Sequence, residues 1–151
     1  MHNNNNELAH VSFLQADKLD RLGFDYPTRE YYSYDDAGMH RTSCAMPRNH
    51  NDRFCWVNKK KLGCSAPTVA IALKWMRDVH HLSGDVFPTA SGWAWCISKP
   101  PNGDQPGGTT IKELAWDGPN DGGAFDTYEE AECAVLSEML NIMLNIIQNR
   151  K

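Results

Sequence analysis

The most constraining feature of this chain lies near its C-terminal end. Thr127-Tyr128-Glu129-Glu130 has the form of a capping box, in which the threonine hydroxyl and the glutamate carboxylate each accept a backbone N–H from the other residue and open a helix. The helix that follows carries Val135, Leu136, Met139, Leu140, Ile142, Met143, Ile146 and Ile147, an apolar surface wider than one stripe. Such a surface must be covered. Aromatic, β-favouring segments upstream supply the cover, so the expected class is α+β: a single domain over residues 7–151, with a small antiparallel sheet and helices packed on one side. Apolar positions occupy both the line Leu136-Leu140-Met143-Ile147 and the line Val135-Met139-Ile142-Ile146, and one of the two can cover the sheet. The other then needs burial elsewhere, which predicts a homo-oligomer.

The rest of the chain reads in alternating pieces. Residues 1–6 are an Asn-rich lead-in with nothing to bury, expected to be disordered. Glu7 to Leu22 has loose helical periodicity and Gly23 as a stop. Phe24 to Tyr34 and Met39 to Ala45 predict a hairpin around Asp35-Asp36-Ala37-Gly38, which has turn chemistry. A second helix is expected from an N-cap at Ser65, through Pro67 in its first turn, to about Leu82. His80 and His81 fall at its C-terminal end, where a cation suits the dipole. Period-two spacing puts Trp93, Trp95 and Ile97 on one face of a strand, packed on the Val69 helix in the simplest reading. Pro100 to Gly108 reads as a long loop, Thr109 to Trp116 as a returning strand, and Asp117 to Gly123 as a further loop. The resulting order is βαββα-like after an N-terminal helix.

Composition excludes several roles. The 151 residues carry 15 Lys+Arg against 19 Asp+Glu, a net charge of -4, which argues against bulk adhesion to nucleic acid. Five Trp, five Tyr and five Phe are too many for a disordered chain. No run is apolar enough to span a membrane, and the first residues lack the basic and apolar regions of a secretory signal. Five cysteines, an odd number without a C-x-x-C, fit reduced thiols and a cytoplasmic setting.

The Ser65-Ala66-Pro67-Thr68 helix opening that runs through Trp75-Met76-Arg77, the Trp-bearing strand, and the Phe125-Asp126-Thr127-Tyr128-Glu129-Glu130-Ala131 opening resemble a group of small α+β proteins from gut bacteria and their phages. The resemblance covers roughly the second half of the chain. It implies an α+β domain in a mobile-element context and carries no active-site residues.

Three constellations bear on chemistry. Between Arg41 and Lys61, six basic residues (Arg41, Arg48, Arg53, Lys59, Lys60 and Lys61) meet one acidic residue, Asp52, around Phe54 and Trp56. Cations for phosphate and flat faces for a base are what a nucleotide needs, so the candidate ligand-binding residues are Arg48, Arg53, Trp56, Lys59, Lys60, Trp93 and Trp95. A solvated loop balancing the acidic C-terminal third is the plainer alternative. Second, His40, Cys44, His50, Cys55 and Cys64 offer zinc ligands, but their irregular spacing favours unliganded cysteines, and no metal or other cofactor is assigned. Third, any of Cys44, Cys55, Cys64 or Cys96 paired with a histidine such as His40, His50, His80 or His81 would make a nucleophile, although no catalytic motif accompanies it. The function expected is a non-enzymatic phage or prophage accessory protein, of anti-defence type, that sequesters a small phosphate-bearing ligand such as a cyclic nucleotide. The alternatives are a module that binds a host protein through exposed aromatic loops, or a small Cys/His hydrolase or zinc-stabilised module.

Overall fold

A computed structural model describes residues 8–36, 38–52, 56–57, 60–61, 63–101, 108–114 and 118–150. The expected disorder of residues 1–6 and the expected ligand contacts of Arg53 and Lys59 lie outside these. The side chains of Trp56 and Lys60 do so too. The fold is α+β, with all strand pairing antiparallel. It divides into two compact units, Met1–Ala72 and Leu73–Lys151.

In the first unit, α1 (Phe13–Arg21) begins later than periodicity alone suggests, because Ser12 caps it. Ser12 Oγ accepts from Gln15 N at 3.2 Å and Gln15 Oε1 accepts from Ser12 N at 2.9 Å, a capping box that fixes the first turn. The predicted hairpin forms as β1 (Thr28–Asp35) and β2 (Gly38–Arg48), turning at Gly38 with φ of 102°, a conformation that costs glycine little. A short ribbon pairs β3 (Trp56–Val57) with β4 (Lys60–Lys61). Next, β5 (Gly63–Ser65) adds to β1, giving the order β2-β1-β5. Ser65 therefore ends a strand instead of capping a helix. Thr68 takes that role, its Oγ1 accepting from Ile71 N at 3.3 Å at the start of α2 (Val69–His80). Val11, Ala16, Leu19, Phe24, Cys64 and Ala66 form this unit's apolar core.

In the second unit the chain leaves α2 through His81 in the left-handed region, φ 53°, and at once enters β6 (Ser83–Thr89), a strand its weak alternation had hidden. β6, β7 (Gly92–Lys99) and β8 (Thr109–Leu114) form a meander. α3 (Tyr128–Gln148) opens on the predicted Thr127–Glu130 capping box and lies against β6 and β7. Gly84 of β6 permits this approach, since a Cβ there would meet Met139 and Val135.

Burial of α3 confines the argument for an oligomer to the second half of the helix. Val135 and Met139 of one line are as fully buried as Leu136 and Leu140 of the other. A helix lying along a sheet seals a stripe broad enough for both rows. Beyond Leu140 both rows emerge: Ile142 and Met143 are half-buried, and Ile146 and Ile147 are each 37% exposed. Among the described residues, no helix is long and apolar enough to cross a membrane.

Candidate functional site

Alternation along β1, β2 and β5 sorts the chemically capable side chains of the first unit onto two faces of one sheet. Tyr31 stands opposite Thr42 and Ser65, while Tyr32 stands opposite Arg41 and Cys64. Directly opposed residues share a face and sequence neighbours do not.

On the Tyr31 face lies a buried polar node. His50 is 2% exposed and stacks on Tyr31, ring centroids 4.3 Å apart. Its backbone N–H donates to Ser65 Oγ at 3.0 Å. Asn51 continues the network: its Oδ1 accepts from Ser65 N at 3.0 Å and its Nδ2 donates to Phe24 O at 2.9 Å. His50 Nε2 sits 3.1 Å from Thr28 O and 3.5 Å from Cys44 Sγ. This realises one of the Cys/His pairings that the sequence left open.

The pair is not arranged as a nucleophile and base. A carbonyl oxygen only accepts, so the ring nitrogen facing Thr28 O carries the proton and has no lone pair to take one from Cys44. The Cys44 thiol is itself directed at carbonyls, with Met46 O at 2.9 Å and Arg29 O at 3.4 Å. Burial holds the His50 pKa below the ordinary 6.5 and favours the neutral ring; the Thr28 carbonyl opposes this and Arg48 adds to it. The node's chemistry is that of a structural tie between β1, β2, β5 and the 49–52 turn.

The zinc alternative meets the same alternation. Cys44 and His50 adjoin, but Cys64 neighbours Ser65 in β5 and so faces the other way. His40 is exposed and 3.5 Å from Asp35 Oδ2, and Cys55 lies outside the described residues. Among the described residues, no three metal-capable side chains cluster.

The Tyr32 face meets α1. Tyr32 donates its hydroxyl to Val11 O at 2.7 Å and packs edge-on against Phe13, centroids 5.6 Å apart. Its pKa is raised, chiefly by burial; Arg41 pulls it down and Cys64 pushes it up. Beside this contact opens a cleft of about 140 Å³, lined by Phe13, Asp17 and Asp20 of α1, Tyr34 and Met39 of the hairpin, and Gly63 and Cys64 of β5. Phe13, Asp17 and Asp20 recur at positions i, i+4 and i+7, one face of the helix. Tyr34 and Met39 are paired across the hairpin. Cys64 is buried, the two aspartates are half-buried, and the aromatic and methionine side chains are exposed. Sequence reasoning missed this cleft. The available signal was the Phe13-Asp17-Asp20 spacing, which has meaning only once the facing wall is known.

The predicted ligand-binding residues fall in different places. Arg48 is exposed at the end of β2, its Cα partnered with Thr28. Trp56 and Lys60 lie in the ribbon, partnered with Lys61 and Val57. Trp93 and Trp95 belong to the second unit. Trp95 is 2% exposed, with its indole Nε1 lacking a hydrogen-bond partner among the described residues, so it belongs to the core and presents no face to a ligand. Trp93 is half-buried, bridged by backbone to Phe125 and edge-on to Tyr128 with centroids 5.3 Å apart. His80 is also placed differently from a cationic helix cap. It packs edge-on against Trp75, and burial, with His81 adding, lowers its pKa and favours the neutral ring.

The fold and these sites define a small α+β protein of two compact units, one of which carries a polar node and a cleft on opposite faces of its sheet. Comparison with protein-family models, with curated proteins and with solved structures found no match.

Proposed function

We propose that this protein is a non-catalytic binding module that engages a protein partner through the α1/β1–β2 face of its first unit. The observation that carries this reading is the exposure of apolar side chains around one cleft. Phe13 is 41% exposed and Tyr34 64%, and Met39 is exposed with them. Scattered exposed hydrophobics need no explanation, but aromatic and methionine side chains gathered at a concavity have the composition of an interface centre. The neighbouring Cys44–His50 pair supports a non-catalytic reading, since its proton sits on the nitrogen that a base would need free. The resemblance to phage-associated proteins suggests a partner that is a host factor.

The test is a selection of random dodecapeptides on the immobilised protein. Enriched peptides should lose binding to the Tyr34→Ser, Met39→Asp double variant while the melting temperature is kept. Peptides that bind both forms equally would defeat the reading.

A second reading keeps the expected accessory role of sequestering a compact phosphate-bearing ligand, such as a cyclic nucleotide, on the basic stretch. The pairing of Trp56 with Lys61 and of Val57 with Lys60 favours it, because it gathers aromatic and cationic residues in one ribbon. A ligand that binds only the folded chain raises stability with concentration. Mono- and cyclic nucleotides should therefore shift the melting temperature of the native chain and not of an Arg48→Glu, Lys60→Glu variant. No shift with any nucleotide would discard this second reading.

A further inference from the structure

We infer that the outer edge of β2 is a docking rail. An extended segment of the partner adds there as a further antiparallel strand, with an acidic residue opposite Arg41 and an apolar one opposite Met39. This rests on the reading of the hairpin as a contact surface for a protein, and three observations carry it.

The first is the direction of the backbone groups. The order β2-β1-β5 leaves β2 at one edge of its sheet. Ala66 N donates to Glu30 O at 2.9 Å, in register with the Tyr31–Ser65 pairing, so the N–H and C=O of Glu30 point toward β5. Direction alternates along a strand, and Tyr31 and Ser33 therefore point the other way, to Thr42 and His40 of β2. The groups of Met39, Arg41 and Ser43 are left facing outward, and among the described residues no backbone hydrogen bond reaches them from that side. An antiparallel strand laid there exchanges both backbone bonds with each of these residues.

The second is regularity. Edge strands are ordinarily blunted by shortness, proline or a bulge. At the other edge of the same sheet β5 is three residues long, and β6 in the second unit carries Pro88. In β2 the irregularity is confined to one end. Cys44 to Pro47 stand against Arg29 alone, whereas Gly38 to Ser43 keep an unbroken register with β1. That stretch has about the usual length of a strand, and Met39, His40, Arg41 and Ser43 are exposed along it.

The third is charge. No acidic residue occurs from Gly38 to Arg48, and Arg41 lies within the regular stretch. The carboxylates that share its face, Glu30, Asp17 and Asp20, belong to β1 and to α1, which packs toward β5. A strand added outside β2 therefore meets the guanidinium, and an opposite charge set across from it is the stabilising choice. A second copy of β2 does not supply one. Any antiparallel register that uses all the outward residues sets Arg41 directly opposite its own counterpart. On the same face Met39 pairs with exposed Tyr34, so an apolar side chain opposite Met39 extends that patch. Antiparallel order then fixes the partner's pattern: an aspartate or glutamate, followed two residues later by an apolar residue.

The experiment is hydrogen exchange, read by amide NMR on the full chain, with and without the capped heptapeptide Thr-Ser-Thr-Glu-Thr-Leu-Thr. In the free chain the amides of His40 and Thr42, which bond β1, should be protected and those of Met39, Arg41 and Ser43 open. Saturating peptide should slow exchange at the open amides at least tenfold. Methylating the amide nitrogens of the glutamate and the leucine, which face β2, should weaken binding at least tenfold. Methylating the threonines that flank the glutamate, whose N–H groups face away, should not. Lysine in place of glutamate should weaken binding several-fold, and Arg41→Glu should reverse that preference. Ser43→Pro removes one outward N–H without touching the bonds to β1 and should weaken binding at least tenfold; Arg41→Glu, at an exposed position, keeps the test alive if the proline variant misfolds. Protection of all the outward amides in the free chain would show the edge already occupied, by this chain or a second copy, and would overturn the rail. Equal binding of the two methylated peptides, or no binding at millimolar concentration, would overturn it too. Selected dodecapeptides that depend on Tyr34 and Met39 but leave these amides open would retire the rail and leave the contact surface standing. Peptides that ignore Tyr34 and Met39 and leave the amides open would retire both.

Discussion

The two units bury different kinds of residue. In the second, the described core is apolar: Trp75, Met76, Leu82, Trp95, Ile97, Leu136, Met139 and Leu140. In the first, a smaller apolar core shares the interior with all the buried polar residues described, Gln15, Thr28, His50 and Ser65. Apolar burial is non-directional and supplies most folding free energy, whereas a buried hydrogen-bond network adds little net stability but penalises any arrangement that leaves a member unpaired. The second unit is therefore built for stability. The first is built for a defined geometry, and the cleft stands on the other face of the sheet that the polar node ties together.

The largest effect that would sharpen this contrast is in the second unit. Leu140→Ala should cost about 2–5 kcal/mol, the range for truncating a fully buried leucine. Chemical denaturation measures it, and a cost under about 1 kcal/mol would mean that α3 is not sealed on its sheet.

Next comes His50→Ala in the first unit. It strips the Tyr31 stack and leaves the Thr28 carbonyl without this donor, at about 1–3 kcal/mol. A pH dependence accompanies it. The folded chain holds the His50 proton less tightly than the unfolded chain, whose histidine titrates near 6.5. Stability is therefore full above that pH and declines as pH falls below it. His80 in the second unit has the same sign. Stability curves for His50→Asn and His80→Asn should each flatten part of the acid limb, and an unchanged slope in the first would remove His50 as an acid-sensitive group.

The smallest effects compare like with like. Ser12→Ala and Thr127→Ala each break a capping box and should cost about 1 kcal/mol. If caps matter equally in both units, the two losses will agree. A clearly larger loss at Ser12 would show that α1, with less apolar surface to anchor it, depends more on its first turn.

The sequence was most legible where a signal is local. The Thr127–Glu130 box needs only four neighbouring residues, and the Asp35-Asp36-Ala37-Gly38 turn only a glycine that accepts positive φ. Local chemistry also misled where two readings competed: Ser65 has the composition of a cap, but strand pairing with Tyr31 claimed it and Thr68 capped the helix instead. The basic stretch was visible as composition, while the cleft was not, because Phe13, Tyr34 and Cys64 lie on three different elements.

By itself the sequence determined the class, the opening of the last helix and the presence of thiols and imidazoles close enough in the chain to meet. Tertiary structure decided which of them met. Pairing β1 with both β2 and β5 put Cys44 and His50 on one face and Cys64 on the other, which joined one candidate pair and separated a candidate zinc set. It also decided that one sheet covers the first half of both apolar rows of α3 and leaves their far ends less buried. The reason is the same in each case: a side chain's partners depend on strand register and on the breadth of the surface laid against it. Both are long-range properties that no spacing along the chain encodes.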